Sequence, residues 1–218
     1  MPALRHPLQR HDLVWLTADG WQRIGTAPWD EQALQILAHW QTKDLPVVVA
    51  RQREGVVDGH LCLGLPAPWQ WGRRRLALEV GAADIARVGA FPLLSDVIAE
   101  PAVNDARVYG SYGWQALTGL AYVHADSDFD VLVMADDVSE AQQVSQRLHA
   151  WAAPGRVDGE VLLPGGHAVS WRELWKALQA VPVRGTGAVA AIPQVLVKHR
   201  LCARLMTLEA LNAACNHP

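Results

Sequence analysis

Hydrophobic and polar positions along this chain follow two periods, and the change between them divides it. Up to about residue 80, short apolar runs broken by Gly and Pro read as strands, at residues 45–50 and 74–79, with one helix-period stretch at residues 32–40. Gly and Ala crowd residues 81–92, which read as a connection. Beyond it, strand and helix patterns take turns. A helix is expected near residues 93–100, a strand ending at Tyr109, a strand over residues 128–134 and a helix over residues 139–153. A hairpin over Pro164-Gly165-Gly166, a helix over about 171–181, a strand over 195–198 and a closing helix from 201 to about 211 complete the pattern. In the helix over 139–153, Ser139 before Glu140 suits an N-cap, and Val144, Leu148 and Trp151 form its apolar row. The pattern predicts an α+β protein: a smaller, mainly β domain over residues 1–85, then a mixed sheet with helices and a closing helix over 86–218.

The chemistry concentrates in the second part. Gly110-Ser111 closes an apolar stretch and reads as a tight strand-to-helix turn, whose free amides and hydroxyl can hold terminal phosphates. Ser127-Asp128-Phe129-Asp130 runs straight into Val131-Leu132-Val133-Met134. Side chains alternate in a strand, so Asp128 and Asp130 share one face while Phe129 and Val131 share the other. Two hard oxygen ligands side by side suit Mg²⁺, which takes one or two carboxylates and completes its shell with water and phosphate oxygens. A calcium loop is the competing use of alternate carboxylates, but its sixth place needs Gly and holds Val131 here. The bland alternative is a pair of solvated aspartates at a strand start.

Gly-Ser followed by Ser-Asp-x-Asp at the head of a strand resembles the nucleotidyltransferase superfamily. That resemblance implies an α/β palm in which Asp128 and Asp130 bind two Mg²⁺ ions and a neighbouring strand supplies a third carboxylate. Arg156-Val157-Asp158-Gly159-Glu160 matches the superfamily's third strand in its Arg-Val-Asp order, which points to Asp158 for that role and to Glu160 as the second candidate. Alternating acids on an edge strand are often only its wet face. A longer gap than in the superfamily's shortest members separates Ser111 from Asp128. It carries Gly-Ser-Tyr-x-Trp-Gln-x-Leu-Thr-Gly-Leu, residues 110–120, and this block is similar to the phosphoribosyl-dephospho-CoA transferases, the holo-acyl-carrier-protein synthases of malonate decarboxylase. The opening Arg10-His11-Asp12-Leu13-Val14-Trp15-Leu16, the pair Leu63-Gly64-Leu65-Pro66 and Arg73-Arg74-Arg75-Leu76-Ala77-Leu78, and the later Trp171-Arg172-Glu173 and Val195-Leu196-Val197-Lys198 extend the likeness over nearly the whole chain.

The resemblance implies transfer of the prosthetic group from 2′-(5″-triphosphoribosyl)-3′-dephospho-CoA to a serine of the acyl carrier subunit, with release of pyrophosphate. Lys198, ending an apolar strand, and Arg184, flanked by glycine, are then candidates for the phosphates, although either is also an ordinary surface residue. Arg73, Arg74 and Arg75, with Arg51 and Arg53, make the first domain locally basic, as solvated strand ends or as a dock for an acidic carrier protein. His11 beside Asp12 suits acid-base chemistry or a structural hydrogen bond equally.

Composition removes several other classes. A net charge of −3 over 218 residues lacks the bulk cationic surface that a polynucleotide substrate needs, so no nucleic acid is expected. Cys62, Cys202 and Cys215 are far apart and lack metal-ligand spacing, which fits a reducing cytoplasm. No apolar run is long enough to span a membrane. The ten tryptophans are spread along the chain, which favours cores and contacts over a stacking platform. Two rival functions stay open: another nucleotidyltransferase, acting on RNA or a small molecule, and a binding module that keeps the fold without the chemistry.

Overall fold

A computed structural model describes residues 8–53, 59–151, 156–180, 192–199 and 201–216. The chain is α+β and forms two compact units. The first holds residues up to Phe91 and takes in Trp114–Val123, and the second holds the rest.

The first unit is built on β1 (Leu13–Leu16), β2 (Val47–Val49), β3 (His60–Pro66), β4 (Arg75–Gly81) and β5 (Ile85–Gly89). These form one antiparallel sheet in the order β4-β3-β2-β1-β5. Helices α1 (Ala18–Gly25) and α2 (Glu31–Thr42) are capped by Thr17 and Asp30, whose side chains accept the amides of Gly20 and Ala33. Their inner faces, Trp21 and Ile24 on α1 with Ile36, Leu37 and Trp40 on α2, join Leu63, Leu65, Leu76, Leu78 and Val80 in one core. Each such side chain contributes about 1.5–3 kcal/mol by leaving water. Within the same unit the Trp114 ring meets Phe91 edge-on at 5.5 Å, the Tyr122 hydroxyl donates to the Pro66 carbonyl at 2.7 Å, and Leu120 packs on the core.

The second unit holds β6 (Arg107–Tyr109), the first turn of α3 (Gly110–Thr118), β7 (Phe129–Met134), α4 (Val138–Ala150), β8 (Val157–Leu163), β9 (His167–Ser170), α5 (Trp171–Gln179), β10 (Gln194–Lys198), β11 (Ala203–Thr207) and α6 (Leu208–Asn216). Its sheet runs β11-β10-β9-β8-β7-β6, with β7 and β8 parallel and every other pair antiparallel. The parallel pair needs a crossover, which α4 supplies. Phe129, Val131, Val133, Val157, Val161, Val169, Val195 and Val197 face a core shared with Val144 and Leu148 of α4, Leu174 of α5 and Leu211 of α6. Odd positions of β7 thus point into the helical layer, and even positions, Asp130 first, point to the other face.

Several sequence expectations need correction. Residues 81–92 are no plain connection, because β5 lies there and pairs with β1 at the sheet edge. The helix near 93–100 shrinks to a single 3₁₀ turn, Leu94–Asp96, where the Asp96 carboxylate accepts the Leu93 amide at 3.2 Å and so competes with helix propagation. The cap of α4 is Asp137 and not Ser139: its Oδ1 accepts the Glu140 amide at 2.8 Å, while Glu140 reaches back to the Asp136 amide at 2.7 Å. The closing helix over 201–211 splits, because residues 203–207 pair with β10 over five positions and helix starts only at Leu208. Arg184 lies outside the described residues.

Candidate active site

The site takes shape where β6, β7 and β8 end side by side. Tyr109 is the register partner of Asp130, and Asp130 is the partner of Asp158. Adjacent strands lie about 4.8 Å apart and paired residues share a face, so the carboxylates of Asp130 and Asp158 are direct neighbours. Glu160 is one place further in, opposite Leu132. Asp128 stands just before β7, on the face of Asp130 by the same alternation.

The chain leaves Tyr109 directly into α3, whose first residues are Gly110 and Ser111. Gly110 has φ +58°, and a Cβ there would fall 1.8 Å from Oδ2 of Asp130. Only glycine lets the helix start come so close to the carboxylate. Tyr112, in the same turn, stacks on Phe129 at 3.9 Å and ties that turn to β7 from the core side. The structure therefore brings Gly110, Ser111, Asp128, Asp130 and Asp158 to one end of the sheet.

Each acid has a distinct environment. Asp128 is gripped by the Arg156 fork, with Nε donating at 2.6 Å to Oδ1 and the second arm to Oδ2, and this pairing lowers its pKa. Asp158 accepts its neighbour's amide, Gly159 N, at 2.8 Å and has the Arg172 Nε at 3.8 Å. Arg172 itself is anchored: it donates to the Val157 carbonyl and lies over the Trp171 ring, 4.8 Å from its centroid. Glu160, 4% exposed, accepts Lys198 Nζ at 2.7 Å. Asp130 has no such cation of its own among the described residues. Burial first, then the charges of Asp158 and Asp128, push its pKa up to about 6.

Sequence reasoning missed Arg156 and Arg172 as members of the site, although both lie in motifs it had marked. Lys198, expected to reach for phosphate, is paired with Glu160. Another such tie links two family blocks: the Glu173 carboxylate accepts the Leu196 amide at 2.9 Å. Asp12, beside His11, accepts the Gln9 amide at 2.8 Å, a turn-closing bond. Of the basic cluster, Arg73 lies over Trp69 at 4.7 Å and Arg74 forks onto Asp30, the α2 cap, at 2.7 Å from each arm. Among the described residues no three His, Cys, Asp or Glu side chains converge into a ready-made cation cage. The donors present still suit Mg²⁺, because this ion needs only one or two carboxylates when phosphate and water complete its shell. An uncompensated Asp130 also favours the arrival of a cation. No described helix is long and apolar enough to cross a membrane.

The class this chain falls into is that of the transferases. It belongs to the phosphoribosyl-dephospho-CoA transferase family: the family model for the MdcG N-terminal domain matches residues 9–91, and that for the MdcG C-terminal domain matches residues 78–209. A phosphoribosyl-dephospho-CoA transferase of Xanthomonas euvesicatoria pv. vesicatoria is 37% identical over 205 residues, covering 85% of this chain and 94% of the relative. One from Xanthomonas campestris pv. campestris is 37% identical over 213 residues, covering 89% and 98%. A third, from Bradyrhizobium diazoefficiens, is 35% identical over 187 residues, covering 77% and 82%. No solved structure gives a significant match.

Proposed function

We propose that this protein transfers the phosphoribosyl-dephospho-CoA group from 2′-(5″-triphosphoribosyl)-3′-dephospho-CoA to a serine of the malonate decarboxylase acyl carrier protein, using the second unit as a nucleotidyltransferase palm. The observation that carries the reading is the register of Asp130 with Asp158 beside the start of α3. The serine Oγ attacks the α-phosphorus, the bond to the β-phosphate oxygen breaks, and pyrophosphate leaves. The amides and hydroxyl at Gly110 and Ser111 hold the terminal phosphates at the positive end of α3. Asp128 and Asp130 would hold Mg²⁺, which when bound would neutralise the polyphosphate and the charge that develops on attack. Asp158 accepts the proton of the serine hydroxyl, its carboxylate lying next to Asp130 and open to solvent. Positioning and charge neutralisation supply most of the acceleration in such transfers.

The direct test is a mass measurement on apo carrier protein incubated with this protein, the triphosphoribosyl precursor and Mg²⁺. A mass gain equal to the prosthetic group is expected, and none should appear in the presence of a chelator. Asp158 is the preferred third acid of the two candidates, a choice supported by its register with Asp130. Asp158→Asn is expected to lower turnover far more than precursor affinity. Glu160→Gln should act mainly on stability, since this buried acid is engaged by Lys198. Parallel kinetics and melting curves check this, and the reverse order would move the third role to Glu160.

For the carrier, the basic cluster on the first unit is the proposed dock. Because Arg74 secures the α2 cap, the informative variant is Arg73→Glu with Arg75→Glu, leaving Arg74 in place. It should raise the carrier concentration needed for half-maximal rate, most strongly at low salt, with the precursor dependence unchanged. A carrier dependence that matches wild type at every ionic strength would move the dock elsewhere.

A further inference from the structure

Among the described residues Lys198, Arg172 and Arg156 each lie against an acid at this end of the sheet, and they differ in how firmly they are held. Lys198 is held in a pair with Glu160, which is 4% exposed, and parting a buried ion pair costs more than parting an exposed one. Arg172 is fixed at two further points, by its donation to the Val157 carbonyl and by the Trp171 ring beneath it. Arg156 has neither restraint. Its side chain is 71% exposed and reaches from solvent onto Asp128. Its backbone, by contrast, is fixed, because its carbonyl accepts the Phe129 amide at 2.9 Å. The guanidinium is thus a charged fork on a flexible stem, pivoting from a fixed point at the edge of the site. Exposed ion pairs of this kind are weak, and the fork that fits a carboxylate fits a phosphate equally well.

Asp128 is one of the two acids assigned to the metal, and Arg156 occupies both of its oxygens. We propose that Arg156 is the exchangeable counter-ion of the site: it holds Asp128 until a divalent cation takes that carboxylate, and the released guanidinium then grips the polyphosphate of the donor. The inference rests on the metal-dependent reading above. Metal and donor would consequently bind with positive coupling, because the arrival of one frees the group that binds the other. Asp130, with no cation of its own among the described residues, is the point at which the metal can first land.

The coupling has a signature that a merely structural arginine would lack, since removing it must change two affinities in opposite directions. Free Mn²⁺ is followed by electron paramagnetic resonance during titration of wild type, Arg156→Ala and Arg156→Lys, each alone and with inorganic tripolyphosphate, with melting curves to confirm folding. Arg156→Ala should bind Mn²⁺ alone about two- to tenfold more tightly, having lost a competitor for Asp128. It should bind the Mn²⁺ complex of tripolyphosphate about tenfold or more weakly, having lost a charge-assisted fork. Arg156→Lys should keep near-wild-type Mn²⁺ affinity and recover only part of the polyphosphate binding. Mn²⁺ affinity unchanged or weakened in Arg156→Ala, or polyphosphate binding unaffected, overturns the proposal and leaves the metal site standing. Failure of both wild type and variant to bind Mn²⁺ overturns the metal reading and this inference together.

Discussion

Asp130→Asn is expected to abolish transfer while making the protein more stable at neutral pH. The loss of activity follows from removing the carboxylate nearest the start of α3 and best placed to take a metal. Forfeiting several kcal/mol of charge stabilisation corresponds to about a thousandfold or more in rate. The gain in stability follows from the raised pKa. Folded Asp130 titrates at about 6, against an unfolded value near 3.9, because burial and the carboxylates of Asp158 and Asp128 oppose its charge. Between those two pH values the native state holds more proton than the unfolded chain, so stability falls as pH rises through the window and stays lower above it. Asn removes that cost. Discounted for the partial exposure of the group, the variant should be more stable by on the order of 2 kcal/mol at pH 7.5, with the difference vanishing near pH 4. Urea unfolding of both proteins at the two pH values, beside the mass assay, measures this. A variant less stable at pH 7.5, or one active within tenfold of wild type, would show that the carboxylate has a structural task and not a catalytic one.

Gly159→Val should cost the second unit its fold. Gly159 has φ +133°, and a Cβ there would lie 1.9 Å from the Val131 carbonyl oxygen and 2.6 Å from the Val131 nitrogen. The obstacle is backbone in the middle of β7, which cannot rotate away as a side chain tip can. Relief requires β7 and β8 to move apart, and that breaks both their pairing and the Asp130–Asp158 neighbourhood. The expected loss exceeds about 3 kcal/mol, and Ala should be nearly as damaging because the overlap begins at Cβ. Gly119 is the internal control: its φ is +69° but nothing lies within 4 Å of a Cβ there, so Gly119→Ala should cost only about 1–2 kcal/mol. Soluble yield and denaturation midpoints compare the two, and a Gly159→Val protein as stable as wild type would refute the steric account.

What could be read from the chain and what could not divide along physical lines. Elements with a clean period and a local stop signal were legible: β7 with its alternating valines, α2, β4, and the turn at Pro164-Gly165-Gly166. Elements whose identity depends on a partner were not. β5 is an edge strand with three exposed residues in five and little apolar alternation, and only its pairing with β1 defines it. Ala203–Thr207 has good helix formers, and the ladder to β10 overrides them. The acids of the site were visible as types, since paired carboxylates before an apolar run are a local feature. Their counter-ions were not, because Arg156 meets Asp128 across 28 positions and Lys198 meets Glu160 across 38, contacts that only the strand order creates. Gly159 carried a signal that passed unused: a glycine inside an alternating strand marks close approach of another backbone.

The first unit is not finished where its sheet is. Trp114 and Tyr122, which close on Phe91 and on the Pro66 carbonyl, are made well after the last strand of that sheet. At about 5–20 residues per second a ribosome takes roughly 2 to 6 s to pass from Phe91 to Val123, and during that interval the nascent sheet lacks part of its own covering. By the time that covering emerges, β6 and the first turn of α3, which belong to the other unit, already exist. The two halves therefore cannot be synthesised, or cut, as a simple head and tail. A fragment ending at Phe91 would lack the tryptophan ring and the tyrosine hydroxyl that the whole chain sets against Phe91 and the Pro66 carbonyl.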